Sequence, residues 1–105
     1  MLSPGNDAFD ALGDPTRRRV FRLLRDGELS VGAIAAQLPV SRPAVSQHLR
    51  VLKEAQLVSD RADGVRRLYS LRRTGLEALR TEIEIYWNDV LTTFAAVADE
   101  EGSFP

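Results

Sequence analysis

The stretch from Ser30 to Ala55, SVGAIAAQLPVSRPAVSQHLRVLKEA, constrains this chain more than any other. It predicts two helices around a short break. Ser30 is placed to cap a first helix over Val31 to Gln37, with Val31, Ile34, Ala35 and Leu38 on one side. Proline lacks an amide proton and disfavours helix in the residue before it, so Leu38-Pro39-Val40 interrupts the pattern. Ser41 then caps a second helix, with Pro43 in its first turn, where a missing N–H costs little.

On a helical wheel, Val45, Leu49 and Leu52 fall on one narrow side and predict a core-facing stripe. Pro43, Gln47, Arg50 and Glu54 fall opposite, flanked by Arg42, Ser46 and Lys53. The outward side is rich in hydrogen-bond donors and cations. Such a helix, packed on a shorter one across a tight turn, is a helix-turn-helix arrangement, whose second helix enters the DNA major groove. Amphipathic helix pairs whose polar face is merely solvated share the pattern, so the flanking sequence has to decide.

Charge is distributed unevenly. The net charge is −1, yet all 14 basic residues lie between Arg17 and Arg80. That window holds six carboxylates (Asp26, Glu28, Glu54, Asp60, Asp63 and Glu77), so it carries +8, and the two acidic ends carry −9. A basic middle suits a polyanion partner even when the whole chain is slightly acidic. Thirteen of the cations are arginine, which suits bidentate phosphate or guanine contacts. A GC-rich genome produces the same skew and accounts for most of it.

Before this stretch, Met1 to Asn6 reads as loose chain and Asp7 to Leu12 as a short helix ended by Gly13. Asp14-Pro15 restarts the chain as a cap followed by proline, and a second helix runs to about Arg25. Its stripe is Val20, Leu23 and Leu24, with Phe21 beside it. Arg17, Arg18, Arg19 and Arg22 cover the other side, where solvation or ion pairing is favoured over contact with a DNA backbone. Asp26-Gly27 closes the helix, with glycine free to turn the chain.

After the central helices, Leu57 to Leu71 reads LVSDRADGVRRLYSL. Asp63-Gly64 predicts a hairpin on a type I′ turn. That register sets Ala62 against Val65, Arg61 against Arg66, Asp60 against Arg67 and Val58 against Tyr69. Val58 and Tyr69 then share the core side, and Asp60 pairs with Arg67. Arg61 and Arg66 face each other, an arrangement that a polyanion between them relieves. A basic hairpin after a helix-turn-helix is a wing.

The last helix is expected from a Thr74 cap to about Ala98, with Asp99 to Pro105 as a short acidic tail outside the domain of residues 1–98. Leu76, Ile83, Val90 and Val97 recur every seven residues, and Leu79, Tyr86, Trp87, Leu91 and Phe94 widen the stripe. Such a helix is roughly 37 Å long, more than a small domain needs to cover its own core. The excess apolar surface points to a second identical subunit, as two-fold readers of palindromes require. Folding back on the first helix is the alternative.

ALGDPTRRRVFRLL (11–24), LSVGAIAAQLPVSRPAVSQHLRVLKEAQLV (29–58) and RADGVRRLYSL (61–71), with a long last helix, resemble the ArsR family of winged-helix transcriptional repressors. Within it the chain is most similar to the cysteine-free autorepressor branch related to SdpR. The resemblance implies a mainly α fold with a small β-hairpin: a winged helix-turn-helix of about five helices and a two-stranded wing. It implies double-stranded DNA as partner and a homodimer held by the first and last helices, through Phe9, Leu12, Leu79, Ile83, Tyr86, Trp87, Val90 and Phe94. Carried over by position, Ser41, Arg42, Ala44, Ser46, Gln47 and His48 approach DNA. Arg50, Lys53, Arg61, Arg66 and Arg67 are candidates for phosphates. Gln47 is the leading base reader, because its amide can bond adenine bidentately, and Arg42 could do so for guanine. His48 lies beside the core stripe, where a structural role touching one phosphate is at least as well supported.

The family's metal sensors carry a cysteine box where this chain reads ELSVGAI (Glu28 to Ile34), and the chain has no cysteine at all. Other members use acids and histidines on the terminal helix; here Glu82, Glu84 and Asp89 stand without a histidine, and His48 is the only one in the chain. Closed transition-metal sites favour nitrogen or sulfur ligands, so no metal or other cofactor is expected. One histidine and no cysteine assemble no nucleophile–base pair, and there is no Gly-rich phosphate loop, so catalysis is not expected. No apolar run approaches a membrane span and no signal segment opens the chain, so a cytoplasmic protein without membrane contact is expected. The expected function is a repressor at a pseudo-palindromic operator, unresponsive to metal, its small-molecule effector, if any, unknown. The alternatives are a winged-helix protein–protein interaction module, or a repressor whose ligand or metal site goes unrecognised.

Overall fold

A computed structural model describes the backbone of residues 4–101 and the side chains of residues 8–99. Five helices and a three-stranded antiparallel sheet follow one another as α1 (Pro4–Ala11), α2 (Pro15–Leu23), β1 (Leu29–Ser30), α3 (Val31–Ala35), α4 (Arg42–Glu54), β2 (Val58–Asp63), β3 (Arg66–Leu71) and α5 (Arg73–Glu101). The capping residues act as their chemistry dictates. Asp14 accepts the Arg17 N–H at 2.9 Å, Ser30 that of Ala33 at 3.2 Å and Ser41 that of Ala44 at 3.3 Å, each satisfying a donor that an isolated helix start leaves free. A 3₁₀ turn, Leu24–Asp26, extends α2, and Gly27 at φ +140° ends it.

One core joins these elements. Val20 from α2, Leu24 from the 3₁₀ turn, Ile34 from α3, Val45, Leu49 and Leu52 from α4, and Leu57 and Val58 after it are all fully buried. The stripe expected on α4 is therefore the stripe observed. Arg17 and Arg18, expected to be solvated or ion-paired, instead donate to the Ala11 and Leu12 carbonyls at 3.1 and 2.7 Å, closing the C-terminal end of α1.

The structure corrects several expectations. Helix α1 starts at Pro4, so Pro4–Asn6 are helical where loose chain was expected; residues 1–3 lie outside the described residues. Helix α3 stops at Ala35, two residues short of Gln37. The wing is the expected two-stranded hairpin, but a third strand extends its sheet: β1, two residues long, pairs with β3 in the order β1-β3-β2. Two residues that also cap a helix leave no alternation to read. The hairpin register is shifted by two residues. Asp63 pairs with Arg66, Ala62 with Arg67, Arg61 with Leu68, Asp60 with Tyr69 and Val58 with Leu71. The two-residue loop is thus Gly64-Val65, with φ +63° at Gly64 and no positive φ at Val65, the pattern of a type II′ turn rather than I′. A shift of two keeps every side chain on its expected face. Val58 and Tyr69 still share one side, but Arg61 and Arg66 do not face each other.

Thr74 does not cap α5; it lies inside the first turn and its Oγ1 accepts from Arg72 Nε at 3.1 Å. The helix continues through Glu101, three residues into the stretch expected as tail, and residues 102–105 lie outside the described residues. Leu79, expected at a subunit contact, belongs with Ala8 and Ala11 to the buried cluster of the protomer's own core. Beyond it, α5 projects from the domain, so that the chain as a whole measures 64 Å along its longest axis and 26 Å across. No helix among the described residues is long and apolar enough to cross a membrane.

Candidate nucleic-acid interface

Helix α4 presents two unlike faces because its sequence alternates at helical spacing. Burial of Val45, Leu49 and Leu52 turns Arg42, Ser46, Gln47, Arg50 and Lys53 outward, all exposed. At 100° per residue these five span an arc of about 140°. Ser41 is exposed at the cap. Ala44 and His48 are half-buried at the edge of the core stripe. The Nδ1 of His48 is buried without a hydrogen-bond partner among the described residues. The Arg17 backbone N–H holds the Asp14 carboxyl below its ordinary range, with a smaller contribution from the nearby His48. His48 thus sits between structure and surface, as its place on the wheel foretold.

Arg42 at the start of α4 lies over Gly32 of α3. A Cβ built on Gly32 would stand 3.0 Å from an Arg42 Nη, so the missing side chain makes room for the guanidinium. Arg42, Arg66, Arg67, Tyr69, Val31, Gly32 and Ser30 line a recess of about 510 Å³ between α3, α4 and β3. The recess has three guanidinium-bearing residues and no acidic one on its wall.

The cations of the wing are less free than the sequence suggests. Arg61 reaches across the central strand to Glu28 and bonds it bidentately, at 2.8 Å from both Nε and Nη2. Arg66 Nε meets Asp63 at 3.1 Å across the turn. Arg67 Nε meets Asp60 at 2.6 Å, and Lys53 of α4 meets the other oxygen of the same carboxylate at 2.8 Å. The Asp60–Arg67 pair was expected, and the observed register makes it diagonal rather than directly opposed. Hydrogen bonds from Lys53 and then Arg67 hold the Asp60 carboxyl below its ordinary range, and Arg61 does the same for Glu28. The role of Glu28 was missed, since its partner lies 33 residues away and across a strand with no readable pattern. Arg42 and Arg50 form no ion pair among the described residues. Nor do the described residues bring three or more His, Asp or Glu side chains together as a metal site.

Of the residues expected at a subunit contact, Phe9, Ile83, Tyr86, Trp87 and Phe94 are exposed. Leu12 and Val90 are half-buried.

Comparison with known proteins agrees with this geometry. A helix-turn-helix domain model matches residues 12–61, from just after α1 into β2. The HTH-type transcriptional regulator Rv2034 of Mycobacterium tuberculosis is 55% identical over 95 residues, covering 90% of this chain and 89% of that protein. The transcriptional repressor SdpR of Bacillus subtilis is 42% identical over 72 residues, covering 69% and 80%. The structure of an ArsR-like transcriptional regulator from Rhodococcus sp. RHA1 superposes with a TM-score of 0.82 at 27% identity, covering 96% and 95%. The chain belongs to the ArsR family of winged helix-turn-helix transcriptional regulators, DNA-binding proteins rather than enzymes.

Proposed function

We propose that this protein is a homodimeric repressor that occupies a pseudo-palindromic operator and does not respond to metal. The observation that carries the reading is the exposed face of α4. Ser46, Gln47 and Arg50 project from a helix whose opposite side is locked into the core, so the face is held rigidly and has no partner among the described residues. Gln47 reads a base, with Arg42 beside it at the entry to the groove. Arg50 contacts phosphate, and the wing lies over the backbone. Repression follows from occupancy, a role supported by similarity to the repressor SdpR.

Dimerisation is supported by α5. Ile83, Tyr86, Trp87, Leu91 and Phe94 are all exposed on a helix that outruns its own domain, and Tyr86 and Trp87 are 68% and 57% accessible. Aromatic surface on that scale is costly to leave in water. Metal independence is supported by donor chemistry: the chain offers no thiolate, and its one imidazole lies in the recognition helix. Work on DNA places the protein in the cytoplasm.

The test is a fluorescence-polarisation titration of a duplex from the chain's own upstream region against a scrambled duplex, at two salt concentrations, with and without EDTA. The reading expects sequence-selective, salt-dependent binding that ignores EDTA. Equal binding to both duplexes refutes the autoregulatory operator, absence of binding favours an interaction module, and a response to EDTA refutes metal independence.

A further inference from the structure

We propose that Asp60 is a positioning residue for DNA discrimination: it withholds Lys53 and Arg67 from indiscriminate phosphate contact and fixes the wing against the recognition helix. The inference rests on DNA binding by α4 and the wing.

Three elements meet at this one carboxylate. Asp60 is on β2, Lys53 in the last turn of α4, and Arg67 on β3. Oδ1 takes the lysine at 2.8 Å and Oδ2 the arginine at 2.6 Å, so both oxygens are committed. The Asp60 side chain is only 8% exposed, whereas each cation is 54% exposed. Among the described ion pairs it is the most sheltered acid; the others range from 38% to 86%. The anion is hidden and the cations face outward, an arrangement that leaves them visible to a phosphate but with one of their two charges already offset.

Non-specific binding is almost wholly electrostatic and grows with each cation free to displace a counterion. Base contacts on α4 gain nothing from extra cations on its last turn and on β3. A carboxylate that engages two of them lowers affinity for all DNA while leaving Gln47 and Arg42 untouched. It also ties the wing to α4, so that backbone contacts and base contacts keep one relative register.

The experiment measures affinity for a random duplex across a salt series for the full-length protein and for Asp60→Asn. Removing the charge frees two cations per subunit. The plot of log affinity against log salt is expected to steepen by about 1–2 per subunit, and random-duplex affinity to rise about tenfold or more near 0.1 M salt. Asp60→Glu keeps the charge and should retain the wild-type slope. The triple variant Asp60→Asn, Lys53→Gln, Arg67→Gln should lose the added slope. Thermal unfolding identifies a variant that fails to fold, in which case Asp60→Ser carries the same test. An unchanged slope in folded Asp60→Asn, or weakening of all DNA without a change of slope, overturns the proposal. The slope on random DNA needs no operator, so a wild type without operator preference refutes the operator reading and leaves this test standing.

Discussion

Gly75→Ala should destabilise this protein although it replaces glycine with the best helix former inside a helix. Gly75 lies in the first turn of α5, against the turn that ends α4. A Cβ at Gly75 would stand 1.6 Å from the Gln56 carbonyl oxygen and 2.6 Å from its carbon. The first contact falls about 1.4 Å short of the 3.0 Å that real Cβ contacts respect. The carbonyl cannot swing aside, because its neighbours are bonded on both sides. Gln56 N–H donates to Lys53 O and Leu57 N–H to Leu52 O, each at 3.0 Å, and Arg72 N–H donates to Leu57 O at 2.9 Å. The start of α5 must therefore move bodily. Overpacking of this kind costs about 1–3 kcal/mol and sometimes more, while the propensity gain is at most about 1 kcal/mol and smaller in a first turn. A net loss of about 2 kcal/mol is expected, equivalent to a fall in Tm of roughly 8–16 °C for a domain of this size. Urea and thermal unfolding at matched protein concentration measure it. Gly32→Ala is the control, because its new Cβ meets only the movable end of Arg42, and it should change stability by less than about 1 kcal/mol. Equal or greater stability of Gly75→Ala would refute the steric argument.

Gln56 is the one non-glycine residue at positive φ among those described, +67°, and it occupies the left-handed position after α4. Gln56→Gly should stabilise by about 0.5–1 kcal/mol in urea unfolding, less whatever the side-chain bond to Arg72 contributes. Asp60 has a folded pKa below its ordinary 3.8, so its ion pairs stabilise fully above that value and are lost as pH falls through the folded one. Asp60→Asn should therefore flatten the acid limb of a stability–pH curve, and an unchanged limb would contradict the pairing. Trp87 is the only tryptophan and is exposed in the protomer, so dilution through dimer dissociation should red-shift its emission. Trp87→Ala should weaken the dimer by about 2–4 kcal/mol in sedimentation equilibrium.

What could be read from the sequence was whatever local chemistry dictates. Asp14, Ser30 and Ser41 cap their helices because a short oxygen-bearing side chain before a proline or an apolar run has little else to do. Val45, Leu49 and Leu52 are buried because a helix offers no other face for them. What escaped depended on distant partners. The end of α4 carries no glycine at the left-handed position, so nothing local marked Gln56. The requirement for glycine at 75 arises from a carbonyl nineteen residues earlier in the chain. Strand β1 exists because β3 offers an open edge to a segment two residues long. The hairpin slipped because Asp63-Gly64 and Gly64-Val65 both make legal two-residue loops. The observed choice lets Asp63 pair with Arg66 and sets Leu68 between Arg61 and Ser30. For the same reason the wing read as more basic than it is: Asp60 was legible as a partner of Arg67, but its bond to Lys53 and the pairing of Glu28 with Arg61 become visible only once strand order and register are known.

The central claim is that the outward face of α4 reads base sequence, and its most direct test is the ratio of operator to random-duplex affinity in wild type and Gln47→Ala at one fixed salt concentration. Each bidentate base contact carries about 1–3 kcal/mol of discrimination, and a two-fold dimer makes the contact twice. The ratio is expected to fall at least about tenfold, with random-duplex affinity and its salt slope unchanged. A ratio that survives Gln47→Ala intact would contradict the claim.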